Sequence, residues 1–95
     1  MFIVKLNYQV NIETVDRVRP KHIEFLHKFY GIGKFITSVR KYTQDGGIII
    51  VNSDSIAEVK TIMEQDPFYT EAIAKYEFVG FTPSMYCDEL KNKVS

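Results

Sequence analysis

Hydrophobic and polar residues alternate in three stretches of this chain, and a fourth stretch is a short apolar run. Side chains of a strand point alternately to opposite faces, so the alternation over 2–8, 34–40 and 75–82 predicts strands with one buried face. The continuous apolar run 48–51 is typical of a central strand. Residues 44–47, which read Gln-Asp-Gly-Gly, predict a turn in which the glycines adopt positive φ.

Two segments repeat their apolar residues every three or four positions, which is the period of an amphipathic helix. The first is predicted from about Pro20, since proline suits the first helical position, to Tyr30, after a polar connection over 9–19. The second begins after Ser55 with a capping-box pattern and continues to about Gln65. Its predicted inward-facing residues are Ile56, Val59, Ile62 and Met63.

A further helical turn is predicted over 67–74, and the resulting order β-α-β-β-α-β is that of a ferredoxin-like α+β fold. It predicts a four-stranded antiparallel sheet with two helices on one face, in a domain over 1–83 that is followed by a polar tail over 84–95. The second face of the sheet is half apolar, which favours a homodimer. The residues predicted on that face are Ile3, Lys5, Asn7, Ile36 and Ser38.

Composition and charge narrow the class of protein. The 95 residues suit one domain, and twelve basic against twelve acidic residues give zero net charge, so nothing attracts nucleic acid to the whole surface. The run 48–51 also lacks the aromatic platform of RNA-binding sheets. A single cysteine, Cys87, favours a reducing compartment, and no apolar run approaches the roughly 20 residues of a membrane span. We therefore expect a cytoplasmic protein without nucleic-acid or membrane partners.

Two clusters far apart in the sequence are the candidate site: 19–22 (Arg-Pro-Lys-His) and 66–68 (Asp-Pro-Phe). In the predicted topology both lie at helix boundaries at the same end of the sheet. A His22 in the first helical turn would have its imidazolium disfavoured by the helix dipole and could accept a proton, with Asp66 to orient it. The cations near this end, which favour an anionic ligand, are Arg17, Arg19, Lys21, Arg40 and Lys41.

Simpler roles are open for each of these residues. Asp66 directly precedes Pro67, so it is a natural N-cap for a short helix that begins at the proline. His22 suits an exposed position, the basic residues suit a solvated surface, and Ser38 suits an ordinary strand. Two histidines and one cysteine make no metal-ligand pattern, and no motif calls for a cofactor.

Taken in order, these motifs resemble the YCII-related (YciI-like) family over roughly 2–83. The matching features are Arg19-Pro-x-His22, Gly33-x-Phe-Ile-x-Ser38, Gly47, Ser55 and Asp66-Pro67-Phe68. The resemblance implies a dimeric α+β barrel in which two sheets pack face to face. It also implies an active site built on the histidine and the aspartate, and some relatives resemble lyases or dehydrochlorinases of hydroxylated aromatic compounds.

Carried onto this chain, the resemblance assigns the catalytic pair to His22 and Asp66, with Arg19, Ser38 and Phe68 near the same cleft. The family's Gly-Pro after the serine of the second strand is replaced here by Val39-Arg40, which changes the cleft wall and adds a cation. Arg19 and Arg40 are the expected anion contacts.

Two functions follow from the same cleft. In the first, the chain catalyses a lyase- or isomerase-type proton transfer on a small anionic molecule, which can be aromatic. His22 carries the proton, and Asp66 orients the histidine. In the second, the chain is a non-catalytic module that binds a small ligand or regulates a partner. The sequence leaves open whether the chain is an enzyme. A hydrogen bond between His22 and Asp66 inside a cleft would favour the first function.

Overall fold

Four strands form one antiparallel sheet with the helices on one of its faces, in a computed structural model that describes residues 1–91. The sheet order is β2-β3-β1-β4, which is the ferredoxin-like order and confirms the predicted fold class. The elements are β1 (Phe2–Tyr8), α1 (Ile12–Gly31), β2 (Phe35–Arg40), β3 (Gly46–Val51), α2 (Ile56–Met63), α3 (Pro67–Thr70), β4 (Ala74–Gly80) and a 3-10 turn (Asp88–Leu90).

The core lies between the sheet and the helices, as the alternation in β1 predicted. Val4 and Leu6 are buried while Lys5 between them is exposed. β1 and β3 are the two central strands, which confirms the interpretation of the apolar run in β3. The buried hydrophobic core consists of Val4, Leu6, Val15, Val18, Phe25, Phe29, Phe35, Ile49, Val51, Val59, Ile62, Met63, Phe68, Ile73 and Ala74.

Helix α1 begins at Ile12 and not at Pro20, so the predicted polar connection over 9–19 is wrong. Asn11 caps the helix, because its side chain accepts a hydrogen bond from the Thr14 amide at 2.9 Å. The buried side chains recur every three or four residues on both sides of Pro20, which is one continuous helical stripe. They are Val15, Val18, His22, Phe25 and Phe29.

Pro20 lies inside α1 on its exposed surface. Proline has no N–H to donate to the carbonyl of Asp16 one turn earlier, and on the exposed side water can satisfy that carbonyl. The helix therefore continues through the proline. As a consequence, His22 lies in the middle of α1, and the expected effect of the helix N-terminus on its imidazole does not apply, since the dipole acts within the first turn.

An irregularity in β2 moves Ser38 to the helix face of the sheet, so its predicted place on the outer face is wrong. The pairing of β2 with β3 shifts between Phe35 and Thr37. One extra residue reverses the alternation beyond it. Ser38 consequently pairs with the buried Ile49 and accepts a hydrogen bond from the Tyr30 hydroxyl of α1.

The turn between β2 and β3 also differs from the prediction. The residue with positive φ is Gln44, at 60°, and Gly46 already belongs to β3. Glycine is required at position 46 because an added Cβ would lie 1.9 Å from the Leu6 carbonyl oxygen of β1. This glycine therefore allows two strands to approach, and it does not serve the turn.

Helix α2 is capped at Ser55 as predicted, since the serine side chain accepts from the Glu58 amide at 3.2 Å. The helix ends at Met63, and its first residue, Ile56, is 41% exposed, so the predicted inward position of Ile56 is wrong. Only from Val59 onward does α2 bury an apolar face.

On the outer face of the sheet, Ile3, Ile48 and Ile50 are partly exposed, and Val79 is 44% exposed. β4 ends at Gly80, and the residues after it up to 91 form no further strand. Of the predicted tail, residues 92–95 lie outside the described part of the chain. Within residues 1–91, no helix has the length and apolar character needed to cross a membrane.

Candidate active site

His22 and Asp66 lie side by side although 44 positions separate them in the sequence. His22 points from the buried stripe of α1, and Asp66 follows α2 at the start of α3. His22 Nδ1 is 2.8 Å from Asp66 Oδ1. Asp66 is fully buried and His22 is 8% exposed. The expected contact between the two side chains is therefore present; its catalytic use stays a prediction.

Asp66 is both an N-cap and the partner of His22, so the two alternatives for this residue coexist. Its Oδ1 accepts from the backbone N–H of Phe68 at 2.9 Å, which caps α3, and the same oxygen contacts His22. Its Oδ2 accepts from the Tyr76 hydroxyl at 2.7 Å. With three hydrogen bonds to fixed groups, the buried carboxylate has one orientation.

The imidazole ring of His22 is held flat against Phe68. The two ring centroids are 4.0 Å apart and the planes differ by 6°. Phe68 is 1% exposed, and the ring of Tyr8 meets it edge-on at 5.8 Å. Phe68, which was expected at the ligand cleft, borders it but serves mainly as the support on which His22 rests.

The hydrogen bond to Asp66 decides which nitrogen of His22 carries the proton. An ionised carboxylate only accepts, so Nδ1 must donate, and the neutral ring then has its lone pair on Nε2. Within residues 1–91, Nε2 has no hydrogen-bond partner, and His22 lines an open cleft. The arrangement therefore offers a proton acceptor to the cleft and a carboxylate behind it that can stabilise the imidazolium.

Tyr76 remains a hydrogen-bond donor to Asp66 over the ordinary pH range. Burial raises the pKa of its hydroxyl far above the usual value, and the negative charge of Asp66 raises it further. The hydroxyl therefore keeps its proton wherever the protein is folded near neutral pH.

The cleft has a volume of about 220 Å³ and lies between α1 and the helix face of β1, β3 and β2. Arg19, Ser38 and Arg40 give it polar groups. Its apolar walls include Leu6, Ile23, Leu26 and Ile49. All six predicted site residues, His22, Asp66, Arg19, Ser38, Arg40 and Phe68, thus lie at this cleft or, in the case of Asp66, directly behind it.

The predicted convergence of five cations on the site is wrong for three of them. Arg17 and Lys21 lie on exposed positions of α1, because neighbouring helical residues point about 100° apart and only one face meets the cleft. Lys41 pairs with Asp45 at 3.2 Å and does not line the cleft.

The two cations at the cleft differ in their freedom to meet a ligand. Arg19 donates to Asp16 at 3.0 and 3.2 Å, one turn earlier on the same helix. Arg40, in contrast, is exposed and forms no ion pair with any residue in the described part of the chain. Of the two predicted anion contacts, Arg40 is therefore the one whose donors are not engaged in an ion pair within the described residues.

Sequence reasoning missed two tyrosines that build the site. Tyr76 donates to Asp66, and Tyr30 donates to Ser38 Oγ at 2.7 Å. The available signal was weak: a buried tyrosine needs a partner for its hydroxyl, and Tyr76 lies in the strand predicted over 75–82. Within residues 1–91, no group of three or more His, Cys, Asp or Glu side chains could hold a metal ion, and Cys87 is exposed.

Comparison with known proteins agrees with the geometry of the fold. The family model described as the YCII-related domain matches residues 1–82. A search of curated proteins found no match. Among solved structures, the chain is similar to 5-chloro-2-hydroxyhydroquinone dehydrochlorinase from Burkholderia phenoliruptrix AC1100, in complex with 2,5-dihydroxybenzoquinone. The TM-score is 0.68 at 15% identity, and the alignment covers 85% of this chain and 93% of the other. At this identity the likeness establishes the fold alone.

Proposed function

The chain belongs to the YCII-related family, and from this membership and the buried histidine–aspartate pair we propose that it transfers a proton on a small anionic molecule bound in the cleft. The observation that carries the proposal is the 2.8 Å contact of His22 Nδ1 with Asp66, which leaves Nε2, among the described residues, as the unpaired nitrogen of a side chain that lines the cleft. A histidine used only for packing needs no carboxylate partner with both oxygens fixed by further donors.

The proposed reaction is of the lyase or isomerase type. His22 Nε2 accepts a proton from an acidic C–H or O–H of the ligand, and the electron pair of that bond stays on the ligand. Asp66 stabilises the imidazolium that forms. The imidazolium then returns the proton, either to another atom of the ligand or to a group that leaves it. His22 is the catalytic residue, and Asp66 is the positioning residue behind it.

The polar groups of the cleft suit a ligand with negative charge. The Arg40 guanidinium presents a planar set of donors that matches a carboxylate or a phenolate. Ser38 Oγ accepts a hydrogen bond from the Tyr30 hydroxyl, so the hydroxyl of Ser38 is free to donate a hydrogen bond to the ligand. Arg19 also carries positive charge, but it forms an ion pair with Asp16.

The size and walls of the cleft favour a single substituted ring. A dry protein cavity of about 150 Å³ holds benzene, so about 220 Å³ leaves space for a ring and its substituents. Leu6, Leu26 and Ile49 would contact the flat faces of such a ring. The ligand of the similar solved structure, a dihydroxybenzoquinone, is also a planar ring with ionisable hydroxyls, which supports testing hydroxylated aromatic compounds first.

We also propose that two copies of the chain pack through the outer face of the sheet. The support is apolar surface on a face that no helix covers: Ile3, Ile48 and Ile50 are partly exposed, and Val79 is 44% exposed. Sedimentation at micromolar concentration should give about twice the 11.0 kDa mass of the chain. Val79→Asp should favour the monomer, whereas Val10→Asp, outside the sheet at 37% exposure, should not. A monomeric wild type would refute the proposal.

The catalytic proposal is tested by isotope exchange. Hydroxylated benzoates and quinones are incubated with the protein in deuterated buffer, and NMR follows uptake of deuterium at their carbon positions. We expect exchange or conversion with the wild type, loss of it in His22→Gln, and weaker binding in Arg40→Gln. His27→Gln, at an exposed position of the same helix, is the matched control and should keep full activity.

Two other results would speak against proton transfer. Binding that depends on Arg40, without exchange or turnover of any bound compound, would support the non-catalytic module. Equal exchange by the wild type and His22→Gln would show that His22 is not the base.

A further inference from the structure

Asp66 Oδ2 has one hydrogen-bond donor in the described part of the chain, the hydroxyl of Tyr76 at 2.7 Å. The other carboxylate oxygen has two donors, the Phe68 amide and His22 Nδ1. The three donors come from three elements, β4, the start of α3 and α1. Both oxygens of the carboxylate therefore accept hydrogen bonds, and among the described residues Tyr76 is the single donor to the oxygen that does not contact His22.

The contact with Tyr76 selects the orientation of Asp66 that serves His22. As an N-cap, Asp66 needs only one oxygen on the Phe68 amide, and either oxygen could fill that role. The two oxygens are chemically equivalent, but because the Tyr76 hydroxyl binds one of them, the carboxylate is held in the orientation in which the other is shared by the cap and by His22. Without that hydroxyl, the carboxylate could turn about its terminal torsion, cap with either oxygen, and release Nδ1.

Tyr76 itself is rigidly placed. Its backbone pairs with Leu6 of β1 in the sheet, and the ring of Tyr69 meets its ring edge-on at 5.8 Å. Burial and the charge of Asp66 keep its hydroxyl protonated, so it always donates. A donor that is fixed in position and always protonated can keep a buried carboxylate in one orientation.

We infer that Tyr76 is a positioning residue of the site: through Asp66, its hydroxyl holds His22 in the tautomer with the proton on Nδ1 and the lone pair of Nε2 in the cleft. The inference rests on the proposed function for its purpose, but its geometry can be tested in the absence of any ligand. The chain thus has a His22–Asp66–Tyr76 triad in place of a pair.

The test is the tautomer of His22 in the ligand-free protein, read from the nitrogen chemical shifts of the imidazole rings by NMR. His22 in the wild type should show one tautomer, with Nδ1 protonated, while the exposed His27 shows a mixture and serves as internal reference. In Tyr76→Phe, the Nδ1 proton of His22 should exchange with water about tenfold faster, the factor for one ordinary hydrogen bond, and the second tautomer should become detectable. Tyr69→Phe should leave both signals unchanged.

A purely structural role of Tyr76 is tested by a control that disturbs packing beside it. Phe78→Leu alters the same strand and the same face without contacting Asp66, so it should lower the melting temperature but not change the tautomer. The inference is overturned if Tyr76→Phe keeps the wild-type tautomer and exchange rate, or if Phe78→Leu shifts them equally. If Tyr76→Phe does not fold, the wild type decides: the Tyr76 hydroxyl proton must be slow to exchange, and rapid exchange refutes the contact.

Different experimental results would refute the positioning role of Tyr76 and the proposed function of His22. If His22→Gln proves as active as the wild type, proton transfer by His22 is refuted, yet the tautomer measurement is unaffected. If Tyr76→Phe leaves the tautomer unchanged while His22→Gln is inactive, the function stands and the positioning role falls. If both hold, Tyr76→Phe should lower kcat by at least about tenfold with little change in KM, because the change does not reach the ligand.

Discussion

Replacing Asp66 by alanine is expected to cost far more free energy of unfolding than the loss of a helix cap. A cap alone contributes about 0.5–2 kcal/mol. Here the change also leaves the Tyr76 hydroxyl and His22 Nδ1 without the fully buried acceptor that they share. Each buried donor that loses its partner costs about 1–3 kcal/mol, and the terms add incompletely, so we expect about 3–5 kcal/mol in total.

The series of replacements at position 66 separates the three contacts. Serine can cap α3 but is too short to reach Tyr76, so Asp66→Ser should recover only about 1 kcal/mol. Asparagine can accept from the Phe68 amide with its oxygen and donate to the Tyr76 hydroxyl with its nitrogen. Asp66→Asn should therefore lie within about 2 kcal/mol of the wild type, since it lacks mainly the charge that faces His22.

The measurement is urea unfolding at pH 7 followed by far-ultraviolet circular dichroism, because the chain has no tryptophan. For a domain of this size, 1 kcal/mol shifts the melting temperature by about 4–8 °C, so Asp66→Ala should melt at least about 12 °C lower. Ser55→Ala is the matched control, because the Ser55 side chain caps α2 and forms no hydrogen bond with His22 or Asp66. If Asp66→Ala costs no more than Ser55→Ala, and serine restores it fully, Asp66 is only a cap and the reasoning fails.

Three further changes test other features. Because the folded state keeps Tyr76 protonated while an unfolded tyrosine ionises near pH 10.0, stability above that pH should fall by about 1.4 kcal/mol per pH unit more in the wild type than in Tyr76→Phe, as measured by urea unfolding from pH 9 to 11. Gly46→Ala should cost at least about 3 kcal/mol, since its Cβ would meet the Leu6 carbonyl, whereas Gly31→Ala in open space should be neutral or stabilising by up to about 1 kcal/mol. Pro20→Ala should raise the free energy of unfolding by about 1–3 kcal/mol, and with it the melting temperature, because it restores an N–H to α1; an unchanged melting temperature would show that Pro20 costs the helix no stability.

The parts of the fold that follow from local pattern could be predicted from the sequence. The alternation in β1, the apolar run in β3 and the cap at Ser55 gave the right elements, because each depends on neighbours along the chain. The sequence predicts too short a helix α1, because proline suits a first helical position and Pro20 therefore marks a helix start. The apolar stripe already begins at Val15 and Val18, before the proline. The helix can include Pro20 because a proline at an exposed position of a long helix is tolerated.

The candidate site was predictable only in part, for a similar reason. His22 and Asp66 were selected by their clusters and by the family resemblance. The contact of Tyr76 with Asp66 depends on the register of β4 against β1, which no local pattern specifies. The irregularity near Phe35 that turns Ser38 toward the cleft is equally invisible in the alternation, because a single extra residue reverses the face of all that follows.

The double use of Asp66, as cap of α3 and as partner of His22, has an evolutionary consequence. A mutation that removes this carboxylate is selected against for its effect on folding, whatever its effect on chemistry. A descendant that had stopped using the cleft would still be held to the aspartate, and through it to a residue like Tyr76 that satisfies the second oxygen. Arg40, which contributes nothing to the core, is under no such constraint and is free to change as soon as the ligand does. When proteins with this fold diverge in function, substitutions should therefore appear at the rim of the cleft before they appear at His22 and Asp66.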